Sequence, residues 1–443
     1  MTEWDEAEQR VEKAHELYER GHWQEALDEL KAAIAINPYN GSWLFNLGLT
    51  YDALDRFDEA IAAYKNALQL DPHDVEILLA LGQDCNRAGN YDEAIAHFER
   101  VESIDASIEA CYCHRIVAYS EKGEHERAEE MFYLARQQKE KCPFCFYHIG
   151  NSLFARGMFE RALWCWRQVT EMDPDYPQVH ARIGDACWAK GQLAEARTNF
   201  IEELRSNPGD IDVLLDLGEL LIEMDDRGAA AEKFRQVLEL QPEECTAHFQ
   251  LGELSREAGD LRGALEQFRR VVKKDRTYPA AHLRLAQIYH EQGARSEALY
   301  HANCELAQQQ HEEEVLLELG NLLMDLGQLG SAEVAFNRVL GANPRCAGAR
   351  HNLAVTLLMA GRTDEGIEQA KQALRIQPKY MVAMHNLAMA YLTKRDFVRA
   401  RFWLREALDI APHDAELKQL RRRVRVAGLV QAARGLSGKL LGR

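Results

Sequence analysis

Four cysteines come closest to a pattern with chemistry in it. Cys142-Pro143-Phe144-Cys145 has the two-residue gap of a metal knuckle or a redox dithiol, and Cys111 and Cys113 lie upstream of it. Thiolates bind zinc and other soft divalent ions, and paired thiols cycle through a disulfide. Cys111, Cys113, Cys142 and Cys145 are therefore the candidate metal or redox group. Against this, cysteine also packs as a small hydrophobe. Cys85, Cys165, Cys187, Cys245, Cys304 and Cys346 show that the chain uses it freely, and a redox dithiol of this spacing belongs in a βαβ setting. The expectation is structural thiols, with no metal and no cofactor.

Other catalytic signatures fail at specific residues. Gly438-Lys439 is followed by Leu440 rather than Ser or Thr, and Ala433 stands where the first glycine of a phosphate loop belongs. His15-Glu16 and His311-Glu312 both lack the second histidine of a zinc-protease helix. No serine-centred nucleophile elbow occurs. The chain is expected not to be an enzyme.

The elements that carry these residues come from an internal repeat. Cut every 34 residues from Ala7, the chain gives twelve units beginning at Ala7, Gly41, Val75, Glu109, Pro143, Pro177, Ile211, Cys245, Pro279, Glu313, Ala347 and Met381, with no insertion or deletion before Asp414. Position 20 of each unit is alanine, or glycine at Gly366, and position 8 is small, as at Gly48, Gly82, Gly150, Gly184, Gly218, Gly252 and Gly320. Ile116 is the outlier there and predicts a wider fourth repeat. Position 24 is the large knob that small residues accommodate: Tyr64, Phe98, Phe132, Trp166, Phe200, Phe234, Phe268 and Phe336. Glycine recurs at position 15, as at Gly21 and Gly89, where a helix C-cap needs positive φ. Every one of the 11 prolines falls at position 32 or position 1, outside the predicted helices. Each unit thus reads as two helices joined by a tight turn.

This pattern resembles the tetratricopeptide repeat family, shown well by Leu47-Gly48, Tyr51, Ala60, Tyr64, Ala67 and Pro72. The resemblance implies an all-α, right-handed superhelical solenoid of antiparallel helix pairs, whose first helices line a concave groove. The expected organisation is a lead over 1–6, twelve repeats over 7–414, a capping helix over 415–427 and a basic, glycine-containing tail over 428–443. Leu417, Leu420, Val424 and Ala427 share the face a cap needs. The tail offers a secondary possibility, contact with an anionic membrane or an acidic partner.

The resemblance also implies a function, a scaffold or adaptor that binds peptide or helical segments of other proteins in the groove. In such a groove, repeat position 9 supplies Asn151, Asp185, Glu219, Glu253 and Asn321, and position 13 supplies Glu223, Glu257, Glu291 and Asp325. Cys113, Tyr147, Phe154 and Trp188 would give apolar contact, and Asn352 and Asn386 would grip peptide backbone. The acids favour basic or amphipathic segments. Position 6 pairs Arg182 with Asp216 and Arg284 with Glu318 across neighbouring repeats. No lysine stands at position 5, which argues against a clamp for chaperone C-terminal carboxylates.

Net charge is −18. So acidic a chain repels phosphate backbones, and nucleic acid is not an expected partner. Met1-Thr2-Glu3-Trp4-Asp5-Glu6 has neither a basic nor an apolar leader stretch. With scattered cysteines, this points to the cytoplasm.

Overall fold

The computed structural model describes residues 3–440, with side chains over 4–431. Among these residues there are 25 α-helices and no strands. Six antiparallel pairs follow one another over 3–206 and five over 245–410, and the last helix follows them singly. The first helices of repeats two to twelve begin at the expected phase: Gly41, Val75, Glu109, Pro143, Ile211, Cys245, Glu313, Ala347 and Met381 each open one. The exceptions are repeats six and nine, where Pro177 and Pro279 delay the start to Val179 and Ala281.

The repeat's small and large positions interlock. A Cβ added at Gly82 would lie 2.6 Å from Phe98, and one at Gly252 would lie 2.7 Å from Phe268. Trp166, Phe98, Phe200, Phe268 and Phe336 are all fully buried. Each such ring contributes about 1.5–3 kcal/mol by leaving water. In the fourth repeat Ile116 takes the glycine's place, and Phe132 packs edge-on against Phe146 with centroids 5.0 Å apart.

The turn inside each pair is fixed by backbone geometry. Gly21, Gly89 and seven further glycines at position 15 have φ of 71–79°. Where the sequence lacks glycine there, Asp55, Asp225 and Arg395 adopt the same left-handed conformation, with φ of 58°, 63° and 58°. The turn shape is thus imposed by helix packing as well as by residue choice. N-caps start the first helices, as where Asp74 accepts from the amides of Glu76 and Ile77.

Two features differ from the sequence expectation. The first helix begins at Glu3, inside the segment read as a lead. The last runs from Ala415 to Leu440, past Ala427, because its glycines do not end it. Leu417, Leu420 and Val424 are 2%, 3% and 0% exposed and join a core with Leu404 and Leu408. Side chains of the basic tail from 432 onward lie outside the described residues. No described helix is long and apolar enough to cross a membrane.

Residues 1–230 and 231–443 form two compact units, and the surfaces of each are described separately below.

Candidate functional site

In both units the first helices meet on a diagonal. A side chain at position 9 reaches position 6 of the next repeat, 31 residues on. Gln83 and His114 are in hydrogen-bond contact at 2.9 Å, and Asn352 donates to Asn321 at 2.9 Å. Position 6 therefore meets position 9 of its neighbour at least as often as its own counterpart.

In the first unit this diagonal brings acids together. Asp185 lies at position 9 of the sixth repeat and Asp216 at position 6 of the seventh, with Glu219 one turn further on. Asp216 is half-buried, and its carboxyl is pushed up to about 6. Burial is the main cause, followed by repulsion from Asp185 and Glu219. Burial also raises Asp185, against the pull of Arg182. Arg182 pairs with Asp185 of its own helix at 3.3 Å, and its pull on Asp216 ranks behind burial and the neighbouring acids. Beside this group the Trp188 indole N–H donates to Glu223 at 2.5 Å, so two expected groove residues hold one another. Tyr147 is buried, its hydroxyl donating to Gln178 at 3.5 Å, and Phe154 packs on Phe159 and Trp166. Asn151 keeps a buried Oδ1 with no hydrogen-bond partner.

In the second unit the acids are answered by arginines. Arg284 lies 3.1 Å from Glu253 and 2.5 Å from Glu318, the latter the pairing read from the sequence. Glu253 also meets Arg256 at 2.9 Å, and Gln287 donates to Glu318 at 2.9 Å. Glu257, Glu291 and Asp325 are exposed. Asn386 contacts His385 on its own helix at 3.4 Å, while Asn352 reaches Asn321. No described hydrogen bond joins one position-6 asparagine to another; Asn352 turns instead toward position 9 of the preceding repeat.

The cysteine group is assembled differently from its sequence reading. Cys113 and Cys145 are joined as a disulfide, and the Cys142 thiol lies 3.8 Å from Cys113. Cys113, expected as a groove contact, is 4% exposed. Cys111 stands apart, its thiol donating to the Ile108 carbonyl at 3.0 Å. Glu109 takes its place: Glu109, Cys113, Cys142 and Cys145 each bring a ligand atom within 4.8 Å of the others. Cys111 fails because it shares position 3 with Cys145, whereas adjacent helices meet off-phase. Cys85, Glu93 and His97 form a smaller group, in which Glu93 is already paired with Lys65 at 2.6 Å.

Sequence reasoning also missed two buried carboxylates. Glu203 accepts from the amides of Gln178 and Ala181 at 3.1 and 3.2 Å, and Glu305 accepts from those of Ala280 and Leu283 at 3.2 and 3.0 Å. They cap the two first helices that proline delays. The signal was present: both repeats have proline at position 1 and glutamate at position 27.

The fold defines an all-α repeat protein. The chain belongs to the tetratricopeptide repeat family: models of that repeat match residues 11–75, 45–107 and 317–381, residues 255–299 and 357–424, and residues 150–191. A TPR repeat-containing thioredoxin from Arabidopsis thaliana is 30% identical over 101 residues, which is 23% of this chain. The match spans only 15% of that relative's length. Among solved structures, a tetratricopeptide repeat protein from Parabacteroides merdae is 18% identical with a TM-score of 0.48, covering 57% of this chain and 99% of that one. Yeast Tom70 is 13% identical with a TM-score of 0.39, covering 99% of each chain. Proteins of this family generally act as scaffolds for protein–protein interaction.

Proposed function

We propose that the protein is a non-catalytic scaffold that binds a basic or amphipathic segment of another protein along the face built by its first helices. One observation carries this reading: Asp216 is half-buried beside Asp185 and Glu219, and burial first, then repulsion from these two acids, push its carboxyl up to about 6. Carboxylates held together against their mutual repulsion are relieved by a cation. A lysine or arginine side chain laid across repeats six and seven supplies one. Trp188 offers an aromatic surface beside the acids, suited to the stem of such a side chain. A preformed rigid face leaves most of the ordering cost to the ligand.

The test is affinity capture from the native cell with the full chain and with a triple variant, Asp185→Asn, Asp216→Asn and Glu219→Gln. The reading expects a defined set of proteins on the wild-type chain, released by salt and lost from the variant. An unchanged set on the variant would reject the acidic face as the recognition surface.

A further inference from the structure

Glu109 and Cys113 lie one helical turn apart on the first helix of the fourth repeat (Glu109–Glu121), and so share a face. Cys142 caps the first helix of the fifth repeat (Pro143–Ala155), accepting the Cys145 amide N–H at 3.4 Å, and Cys145 lies in its first turn. The two pairs face one another across adjacent helices. The 3.8 Å between the Cys113 and Cys142 sulfurs matches one edge of a zinc tetrahedron, ~3.8 Å for zinc–sulfur bonds of ~2.3 Å. The Cys113 sulfur is 3.5 Å from one Glu109 oxygen, and the other oxygen lies 3.6 Å from the Lys139 ammonium. All three sulfurs are buried, and Glu109 is half-buried. Burial pushes the Cys142 thiol up to about 11, with Glu109 adding to the effect. A divalent cation reverses that preference.

We infer that Glu109, Cys113, Cys142 and Cys145, once the disulfide is reduced, bind a single zinc ion that ties the fourth repeat to the fifth. A dithiol reductant supplies two electrons and two protons to the Cys113–Cys145 bond, becomes a cyclic disulfide and leaves two thiols. Zinc then displaces the three thiol protons to solvent, forming three zinc–sulfur bonds and one bond to a Glu109 oxygen. Four protein ligands close the tetrahedron, which makes the site structural rather than catalytic. Lys139 offsets part of the negative charge. His114 is not a ligand, since its ring is engaged by Gln83 and stacks on Phe98. This site stands independently of the proposed segment binding.

The test uses the full chain, reduced with dithiothreitol, freed of it without air, and titrated with cobalt(II) as a visible stand-in for zinc. One equivalent of cobalt should bind with thiolate-to-metal charge-transfer and tetrahedral visible bands, and one equivalent of zinc should bleach them. Glu109→Gln should keep the charge-transfer band but weaken binding, because a neutral amide oxygen replaces the carboxylate ligand. Cys142→Ser should diminish the band and weaken binding further, and Cys111→Ser should change neither. A reduced wild-type protein without the band, or an unaltered band in Cys142→Ser, would overturn the assignment. Should the cysteine variants fail to fold, the wild type still decides. In urea concentrations that open the zinc-free protein to alkylation at Cys113, Cys142 and Cys145, zinc must slow their labelling while Cys245, Cys304 and Cys346 keep reacting, and equal rates with and without zinc reject the site.

Discussion

The carboxylate of Glu305 holds the backbone N–H of Leu283 at 3.0 Å from the facing helix, in a place where the carboxylate itself is fully buried. Its other oxygen takes the amide of Ala280, whose φ of 61° is left-handed, and His311 stands 3.7 Å away. Burial raises this carboxyl above the usual range, and the backbone bonds oppose that rise. Glu305→Ala leaves two buried donors unpaired at a helix N-terminus. It should destabilise the second unit by ~2–4 kcal/mol, read as a lowered urea midpoint. Glu305→Gln keeps one acceptor and should lose less. Equal midpoints for wild type and Glu305→Ala would show that water replaces the carboxylate.

The glycine–aromatic interlock gives a paired prediction. Gly252→Ala places a methyl 2.7 Å from the Phe268 ring, which is walled in on all sides, and should cost ~1–3 kcal/mol. Gly228→Ala meets no atom within 4 Å on an exposed helix, and should stabilise by ~0.4–1 kcal/mol. Thermal denaturation of both variants separates steric cost from helix propensity. A Gly252→Ala protein at least as stable as wild type would mean that the helices move apart freely.

Asp216 sets a pH dependence whose sign follows from its raised carboxyl. The folded chain keeps this proton up to about pH 6, whereas the unfolded chain releases it near its ordinary value of 3.8. The folded state therefore binds more protons in that window, and this group's contribution to stability falls as pH rises from about 4 to 6. Above the window its penalty is constant. Asp216→Asn should raise stability at neutral pH and flatten the profile between about 4 and 6. Urea midpoints of the two proteins across that range check it, and parallel profiles would contradict it. For the same reason, affinity for a cationic segment should weaken as pH falls through about 6.

Leu420 is 3% exposed where the last helix covers the twelfth repeat. Leu420→Ala should cost ~2–5 kcal/mol, and it should act on the final repeats first. Hydrogen exchange resolved by peptide checks this: amides over 397–424 should open before those of repeats eight and nine. Uniform acceleration along residues 231–443 would deny the helix a local capping role.

Much of this fold was legible in the sequence because its period is tied to packing. Gly82 and Phe98 are small and large for one steric reason, so the phase of every helix pair could be read from residue types alone. The site was less legible. Contacts here run mostly off phase: Asp216 meets Asp185 and Cys145 meets Cys113, two or three residues out of register, because adjacent helices are staggered. Arg182–Asp216 was therefore expected as an ion pair where the structure has an acid cluster, and Cys111 was placed in a group that Glu109 completes. Arg284–Glu318 was readable because long side chains span the stagger. The carboxylate caps at Glu203 and Glu305 follow from prolines that displace a helix start, which the hydrophobic pattern does not register.

Photo-crosslinking in the native cell would weigh most on whether the first-helix face holds other proteins. A benzoyl-phenylalanine replaces Trp188 beside the acids, or Trp164, which is 52% exposed on a second helix of the same unit. The expectation is protein adducts at position 188 that vanish when Asp185→Asn, Asp216→Asn and Glu219→Gln are added, with few at position 164. Adducts confined to position 164, or a position-188 pattern indifferent to the acids, would contradict it.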